Sequence, residues 1–320
     1  MALHLGDYRI ALDSRDSEAN VNFISHAHSD HISGVSKGRR LIASSITREL
    51  IEARYGLRTE LEQPPKGAEL LNAGHVLGSK QFYVDDPVHG YSLLYSGDYQ
   101  MVESAAAERI ELKHADVLIL DSTYPYPWLR FGEREDTVRA MQLYAKTKME
   151  NGHVVFGAYA VGKAQEIIRI LNDAGITPAV DAKIAGVNEV YKRHGVHLDY
   201  FVADNSGKEQ VLVVEGSRLG EFKNAITSRS NRRVFTAVAS GWAKMYRFGT
   251  DVQFPLSDHA DFQQALAYIN ACDPEVILTC GNSAGLFAKN LGALGYDARP
   301  LAKLSQFRQS SLLVCSLGSR

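Results

Sequence analysis

The sequence predicts a mixed α/β protein in which a strand-rich host carries an inserted α/β block. Three observations lead to that expectation. The first third is a series of short β-type runs separated by turn residues. The middle alternates strand with helix, the rhythm of a parallel sheet covered on both faces. The final part returns to the style of the first.

Taken in order, Tyr8 to Asp13, Val21 to His26, Arg39 to Ala43, Ala68 to Asn72, Lys80 to Val84 and Tyr91 to Tyr95 are predicted strands, with a helix over Ser45 to Tyr55. Asp116 to Ser122 is a near-continuous apolar strand that ends in the carboxylate of Asp121. Glu133 to Glu150 has the spacing of an amphipathic helix and stops at Asn151-Gly152. Val154 to Ala158, Gln210 to Val214 and Arg233 to Val238 are predicted strands, and Lys163 to Asn172 and Asp181 to Arg193 predicted helices. Strands at Val252 to Leu256 and Val276 to Thr279 and helices at Asp261 to Ala271 and Ala284 to Leu294 complete the host. The expected division is a host of residues 1–126 and 246–320 and an insertion of 127–245.

At 320 residues, 45% hydrophobic and 22% charged, the composition is that of an ordinary globular enzyme, and a net charge of −2 gives no overall basic surface. No run reaches the length of a membrane span, and Met1 to Asp7 has no leader pattern, so a cytoplasmic protein is expected. Cys272, Cys280 and Cys315 are too few and too scattered for a disulfide framework or a paired-cysteine zinc site.

The richest chemistry lies in His26-Ala27-His28-Ser29-Asp30-His31, three imidazoles and a carboxylate within six residues after the apolar run Val21 to Ile24. His26 and His28 are two apart, so an extended backbone points them to one side, and Ser29-Asp30 is a candidate helix start. Such a loop suits two metal ions, with zinc favoured by imidazole and carboxylate, and manganese or iron after it. His75, in Ala73-Gly74-His75, and Asp98, in Ser96-Gly97-Asp98, follow strands at turns where glycine allows close backbone approach. The resulting assignment is His26, His28 and His75 on one ion, Asp30 and His31 on the other, and Asp98 between them. Asp13, at the end of a strand, is either a group orienting that loop or a turn carboxylate opposite Arg15.

In this order the motifs resemble those of the metallo-β-lactamase fold. Leu120-Asp121-Ser122-Thr123-Tyr124-Pro125, Phe156 to Glu166 and Ser257-Asp258-His259-Ala260-Asp261 are similar to its β-CASP branch of nucleic-acid-cleaving enzymes, and the likeness runs from about residue 8 to 300. The resemblance implies an αββα sandwich with a β-CASP domain inserted after Asp121. It implies that Asp121 and His259, with Asp30, are catalytic groups. Where RNA-cleaving members carry a histidine and Artemis-type members valine, this chain has Cys280, which is either a thiolate ligand or a small buried hydrophobe. His259 is otherwise a helix-start residue paired with Asp258 or Asp261. Some motifs resemble RNA 3′-end-processing endonucleases and RNase J, others the Artemis group and the bacterial ligase-associated exonucleases.

The implied activity is zinc-dependent hydrolysis of single-stranded nucleic acid using two Zn2+, the second site weaker or filled by Mn2+. RNA is slightly favoured over DNA, and exonuclease over strict endonuclease action. The alternatives are a DNA exonuclease of the ligase-associated or Artemis type, a catalytically weak RNA-binding scaffold, and a small-molecule metallo-hydrolase. Lys163 at a helix start, and Trp242, Lys244 and Arg247 in a stretch mixing cations with aromatics, are candidate contacts to RNA or DNA. Arg229, Arg232 and Arg233 form a further basic cluster, and a homodimer is the candidate assembly.

Overall fold

The computed structural model describes residues 1–301 other than 37, 39, 87–89 and 205–208, so Cys315 lies outside the described residues, as does His89. In chain order the elements are β1 (Ala2–Leu5), β2 (Tyr8–Leu12), β3 (Val21–Phe23), β4 (Arg40–Ile42), α1 (Ser45–Tyr55), β5 (Glu60–Leu61), β6 (Ala68–Asn72), β7 (Lys80–Asp86), β8 (Tyr91–Tyr95) and β9 (Val117–Asp121). Then come α2 (Arg134–Asn151), β10 (Gly152–Ala158), α3 (Lys163–Asp173), β11 (Ala179–Val180), α4 (Ala182–Arg193), β12 (Phe201–Val202), β13 (Val211–Glu215), α5 (Leu219–Thr227), β14 (Arg233–Ala239) and β15 (Val252–Phe254). The chain closes with α6 (Phe262–Cys272), β16 (Val276–Cys280), α7 (Ala284–Gly292) and β17 (Ala298–Pro300). No helix of the described residues is long and apolar enough to cross a membrane.

Two compact units emerge. Among the described residues, the first comprises 1–103, 108–130 and 259–301, the second Ser104–Ala107 and Phe131–Asp258.

The first unit is a sandwich of two sheets, ordered β1-β2-β3-β4-β5 and β17-β16-β9-β8-β7-β6. Side chains alternate across each strand, and the burial follows that period of two. Phe82, Val84, Leu93, Tyr95, Val117 and Ile119 meet Ile10, Leu12, Val21, Phe23 and Ile42 of the other sheet. The intervening Tyr83, Leu94, Leu118 and Leu120 pack instead with Phe262, Ala265, Tyr268 and Ile269 of α6 and Phe287 and Leu291 of α7. The sheet is thus apolar on both faces, which is why β9 is written as one unbroken apolar run. Each fully buried aliphatic side chain contributes about 1.5–3 kcal/mol. The carboxylates come at the strand ends, where this double burial stops.

Two local expectations are corrected here. The strand before the histidine-rich segment ends at Phe23, and Ser29-Asp30 opens no helix. The backbone turns, with His31 N donating to His28 O at 3.2 Å and Val35 N to Ile32 O at 2.9 Å. A turn carries successive side chains inward from one loop, which an extended run of the same length would send to opposite sides.

The second unit is built on a sheet ordered β12-β11-β13-β10-β14-β15, every pair parallel. Val252–Phe254, assigned from sequence to the host, pairs with Ala237–Ala239 and carries this unit on to Asp258. The helix α5 lacks a clear sequence signal, yet the parallel neighbours β13 and β14 require a crossover, and α5 supplies it through Phe222 and Ile226. Asp181 caps α4 by accepting from Lys183 N and Ile184 N, and its other oxygen accepts from Glu215 N at 2.7 Å.

Lys163 is the main correction among the substrate contacts. It is 1% exposed, with its Nζ 2.7 Å from Glu166 Oε2 and 3.8 Å from Asp258 Oδ2. Arg134 pairs with Glu166 and donates to Ser257 O at 3.1 Å. The amine at the first turn of α3 therefore closes a buried ion cluster instead of facing a phosphate. The other arginines are similarly occupied: Arg232 donates to Met149 O and Glu150 O at the end of α2, and Arg233 lies over the Phe235 ring.

Burial lowers the Lys163 pKa from 10.5 to about 8, against the attraction of Asp258. Lys163→Met should destabilise the protein by about 3–5 kcal/mol, because Glu166 and Asp258 stay buried with fewer cations. Between pH 8 and 10.5 the unfolded chain holds the lysine proton more tightly than the fold does. Wild type should therefore gain stability relative to Lys163→Met as pH rises through that window, checked by urea denaturation at each pH.

Candidate active site

The centre of the site is one oxygen. Asp98 follows β8 after Gly97. The φ of +53° at Gly97, and the 2.8 Å that would separate an added Cβ from Ser25 Cβ, leave room for glycine alone. Asp98 Oδ2 lies 3.3 Å from His31 Nε2, 3.5 Å from His26 Nε2, 3.7 Å from His75 Nε2 and 3.9 Å from His259 Nε2. Burial opposes ionisation of this carboxyl, yet His31 and then His259 hold its pKa well below the ordinary range.

Asp13 organises the loop from behind. It sits at φ +43°, a left-handed backbone that costs a non-glycine residue about 1–3 kcal/mol. Its Oδ1 accepts from Ser25 N at 2.7 Å, and its Oδ2 accepts from Ser25 Oγ at 2.5 Å, Tyr95 OH at 2.9 Å and His31 Nδ1 at 2.9 Å. Because a carboxylate only accepts, the His31 proton is on Nδ1. Ser25, having donated its hydroxyl proton to Asp13, accepts from His26 Nδ1 at 2.9 Å. That places the His26 proton on Nδ1 as well and leaves its Nε2 as a lone pair.

His26 Nε2 is buried with no hydrogen-bond partner among the described residues. Burial, with His31, His28 and His75 around it, pushes the His26 pKa well down and keeps the ring neutral. An orphaned neutral imidazole nitrogen facing a buried carboxylate is the state a metal ligand requires. The spacing agrees. Ligand atoms about 2.0–2.1 Å from a tetrahedral zinc stand roughly 3.3 Å apart. The His28 Nδ1 to His75 Nε2 distance is 3.2 Å, and His26, His28, His75 and Asp98 offer donors all within 4.8 Å of one another. The donor set fits a divalent cation.

A second group, Asp98, Asp121 and His259, also has its donors within 4.8 Å. His259 Nδ1 lies 3.3 Å from Asp121 Oδ2. Asp30 is on the outer side of the loop: its carboxylate is 77% exposed, with Oδ2 3.7 Å from His31 Nε2. Burial opposes charge on His31, but Asp98 and Asp13 raise its pKa well above the ordinary value. The gap between these two carboxylates is therefore a place that favours positive charge.

Cys280 is in neither donor group. It lies opposite Asp121 in the β9–β16 register, and its Sγ donates to Leu120 O at 3.4 Å. Burial, then Asp121 and Asp98, push its pKa well up. Its surroundings are those of a small hydrophobe packed against the sandwich core.

Three further residues bear on the site without a sequence signal of their own. Ser25 and Tyr95 complete the Asp13 network. Gln100 Nε2 donates to His259 O at 2.9 Å, and Ala260 N to Tyr99 O at 3.0 Å, so the segment after Asp98 holds His259 in place. Only the alternation of Tyr95 toward the same face as Leu93 hints at such a role. In the second unit, Trp242 stands on a 3-10 turn over Gly241–Lys244 with its ring 5.5 Å from that of Tyr246, while Lys244 and Arg247 are exposed.

No family model matches the chain. Among curated proteins it is 29% identical over 304 residues to a probable DNA ligase of Opitutus terrae, covering 89% of this chain and 29% of that protein. It is 27% identical over 185 residues to the mouse DNA cross-link repair 1A protein, covering 53% of this chain and 17% of that one. With an RNase J-like protein of Methanocaldococcus jannaschii it shares 25% identity over 189 residues, 49% of this chain and 44% of the other. The chain spans less than half the length of each of these relatives. A likeness held in common with proteins named for DNA ligation, cross-link repair and RNase J, on a mixed α/β sandwich whose histidines and carboxylates converge in this order, supports the β-CASP branch of the metallo-β-lactamase fold as the family of this chain.

Proposed function

We propose that the protein is a metal-dependent nuclease that hydrolyses phosphodiester bonds of single-stranded nucleic acid. The observation that carries this reading is the convergence of His26, His28, His75 and Asp98, with the unbonded His26 Nε2, beside the His259–Asp121 pair. Divalent cations held there, with zinc the leading candidate, would neutralise the anionic phosphate and acidify a water. His26, His28 and His75 would hold one ion, Asp30 and His31 the other, and Asp98 would join them.

The remaining chemistry belongs to the chain. Asp13 orients the His31 ring directly and sets the His26 tautomer through Ser25. Asp121, by accepting from His259 Nδ1, leaves Nε2 on the side of Asp98. Protonated on both nitrogens, the imidazolium would hydrogen-bond a non-bridging phosphate oxygen through Nε2 or give that proton to the leaving oxygen. Trp242, Lys244 and Arg247 supply stacking surface and positive charge to the strand.

The motifs alone tilt the substrate toward RNA. The relatives point both ways: the one matched over 89% of the chain is named a probable DNA ligase and another for DNA cross-link repair, while a third is RNase J-like. Purified protein on matched 5′-labelled RNA and DNA strands should cleave at least one of them, and a chelator should abolish the cleavage. Absence of metal-dependent cleavage of both overturns the reading, and fewer than one bound metal per chain favours a scaffold role.

Asp13→Ala should lower metal affinity about 10–100-fold, read as metal content after dialysis, since His31 and His26 lose the groups that orient them. His259→Ala should lower kcat about 10²–10⁴-fold, measured at saturating substrate with metal content followed in parallel.

A further inference from the structure

The sheet of the second unit has a topological switch point. From β10 the chain builds β11, β12 and β13 on one side, then crosses to β14 and β15 on the other. Ligands of open parallel sheets gather beyond the carboxyl ends of the strands at such a point. The register places Ala158 of β10 level with Glu215 of β13, and Gly157 level with Val238 of β14. The residues that follow are therefore neighbours on one rim: Tyr159 after β10, Gly216 and Ser217 after β13, and Ser240 to Trp242 after β14.

Tyr159 is the anomaly on that rim. It is 64% exposed, although Ala158 and Ala160 on either side are buried. Its backbone is held firmly. Ala164 N donates to Tyr159 O at 3.1 Å, Gln165 Nε2 donates to Ala160 O at 3.0 Å and to Asn188 Oδ1 at 2.7 Å, and Gly162 N donates to Gln165 Oε1 at 2.8 Å. Gln165 is fully buried, so this amide clamp sets the loop rigidly. A fixed loop that keeps a large aromatic in water has prepared a flat surface at little further entropic cost. Across the rim, Gln253 Nε2 donates to Ala243 O and Tyr246 O and fixes the turn that bears Trp242. The same segment exposes Lys244, Tyr246 and Arg247. Aromatic faces next to cations match a polyanion whose bases are unpaired.

We propose that Tyr159, with Trp242 at the neighbouring strand end, forms a base-stacking platform that grips single-stranded nucleic acid through its bases. This rests on the nuclease reading, deepens it, and assigns Tyr159 a role in binding rather than in hydrolysis. Stacking requires an exposed π-face and no particular base, so the platform is tolerant of sequence.

The test is fluorescence anisotropy with the full chain in chelator, so that nothing is cut. The probes are labelled oligothymidylate and oligouridylate, and an abasic strand of equal length with the same phosphates. Tyr159→Ala should weaken binding of a base-bearing strand roughly fivefold or more and leave the abasic strand unchanged, while Tyr159→Phe stays within about twofold of wild type. Tyr159→Ala that binds like wild type, or that loses equally on both kinds of strand, overturns the platform and leaves the nuclease reading standing. Wild type that binds no strand overturns the platform, and if it also shows no metal-dependent cleavage the nuclease reading falls with it. Circular dichroism of each variant confirms that an exposed-residue change has left the fold intact.

Discussion

A single buried carboxylate governs the first unit of this protein. Asp98 is held among four imidazoles, and its Oδ2 is within 3.9 Å of each of them. A carboxylate so deeply buried is costly unless positive charge surrounds it. The histidines, the orphaned His26 nitrogen and the fit to a divalent cation all follow from that need. Asp13 is the second half of the same arrangement. It takes a strained backbone, accepts hydrogen bonds on both oxygens from Ser25, Tyr95 and His31, and so fixes which ring nitrogens face Asp98.

The sheets serve this centre by ending where they do. Double-sided burial makes β7, β8 and β9 apolar on alternate faces, with one row against the partner sheet and the other against α6 and α7. The strands are mostly apolar, and the site carboxylates come where they end: Asp98 after β8 and Asp121 as the last residue of β9. The same argument describes the second unit. Its parallel strands are sealed by helices, and the exposed Tyr159 stands on the carboxyl rim with the half-buried Trp242. A buried ion cluster of Lys163, Glu166, Arg134 and Asp258 ties α2 and α3 to the end of that unit's chain.

Where the motifs mislead, the cause is burial. Lys163 has the sequence setting of a phosphate-binding lysine, after a glycine at a helix start, but a helix start is equally a place to bury an ion pair. What decides between the two is Glu166, one helical turn on, and Asp258, far away in sequence. Arg232 and Arg233 stay exposed while donating to a helix end and lying over an aromatic ring. Tyr159 carries no sequence signal of its own exposure: it lies in an apolar run, and only the turn after β10 exposes it.

By itself the sequence determined the fold class, most of the strands and helices of the host, and the candidate residues for the chemistry. Those properties are written locally, in periodicity and in a tight string of imidazoles and carboxylates. Tertiary structure alone decided the proton positions on His26 and His31, because Ser25, Tyr95 and Asp13 meet only when β2, β3 and β8 pack together. It also decided that Cys280 lies opposite Asp121 with its Sγ on Leu120 O, that β15 belongs with the inserted sheet, and that Lys163 is buried while Tyr159 is not. Each of these depends on partners distant along the chain, and a hydrogen bond or an exposed ring exists only once the partners have been brought to, or kept from, contact.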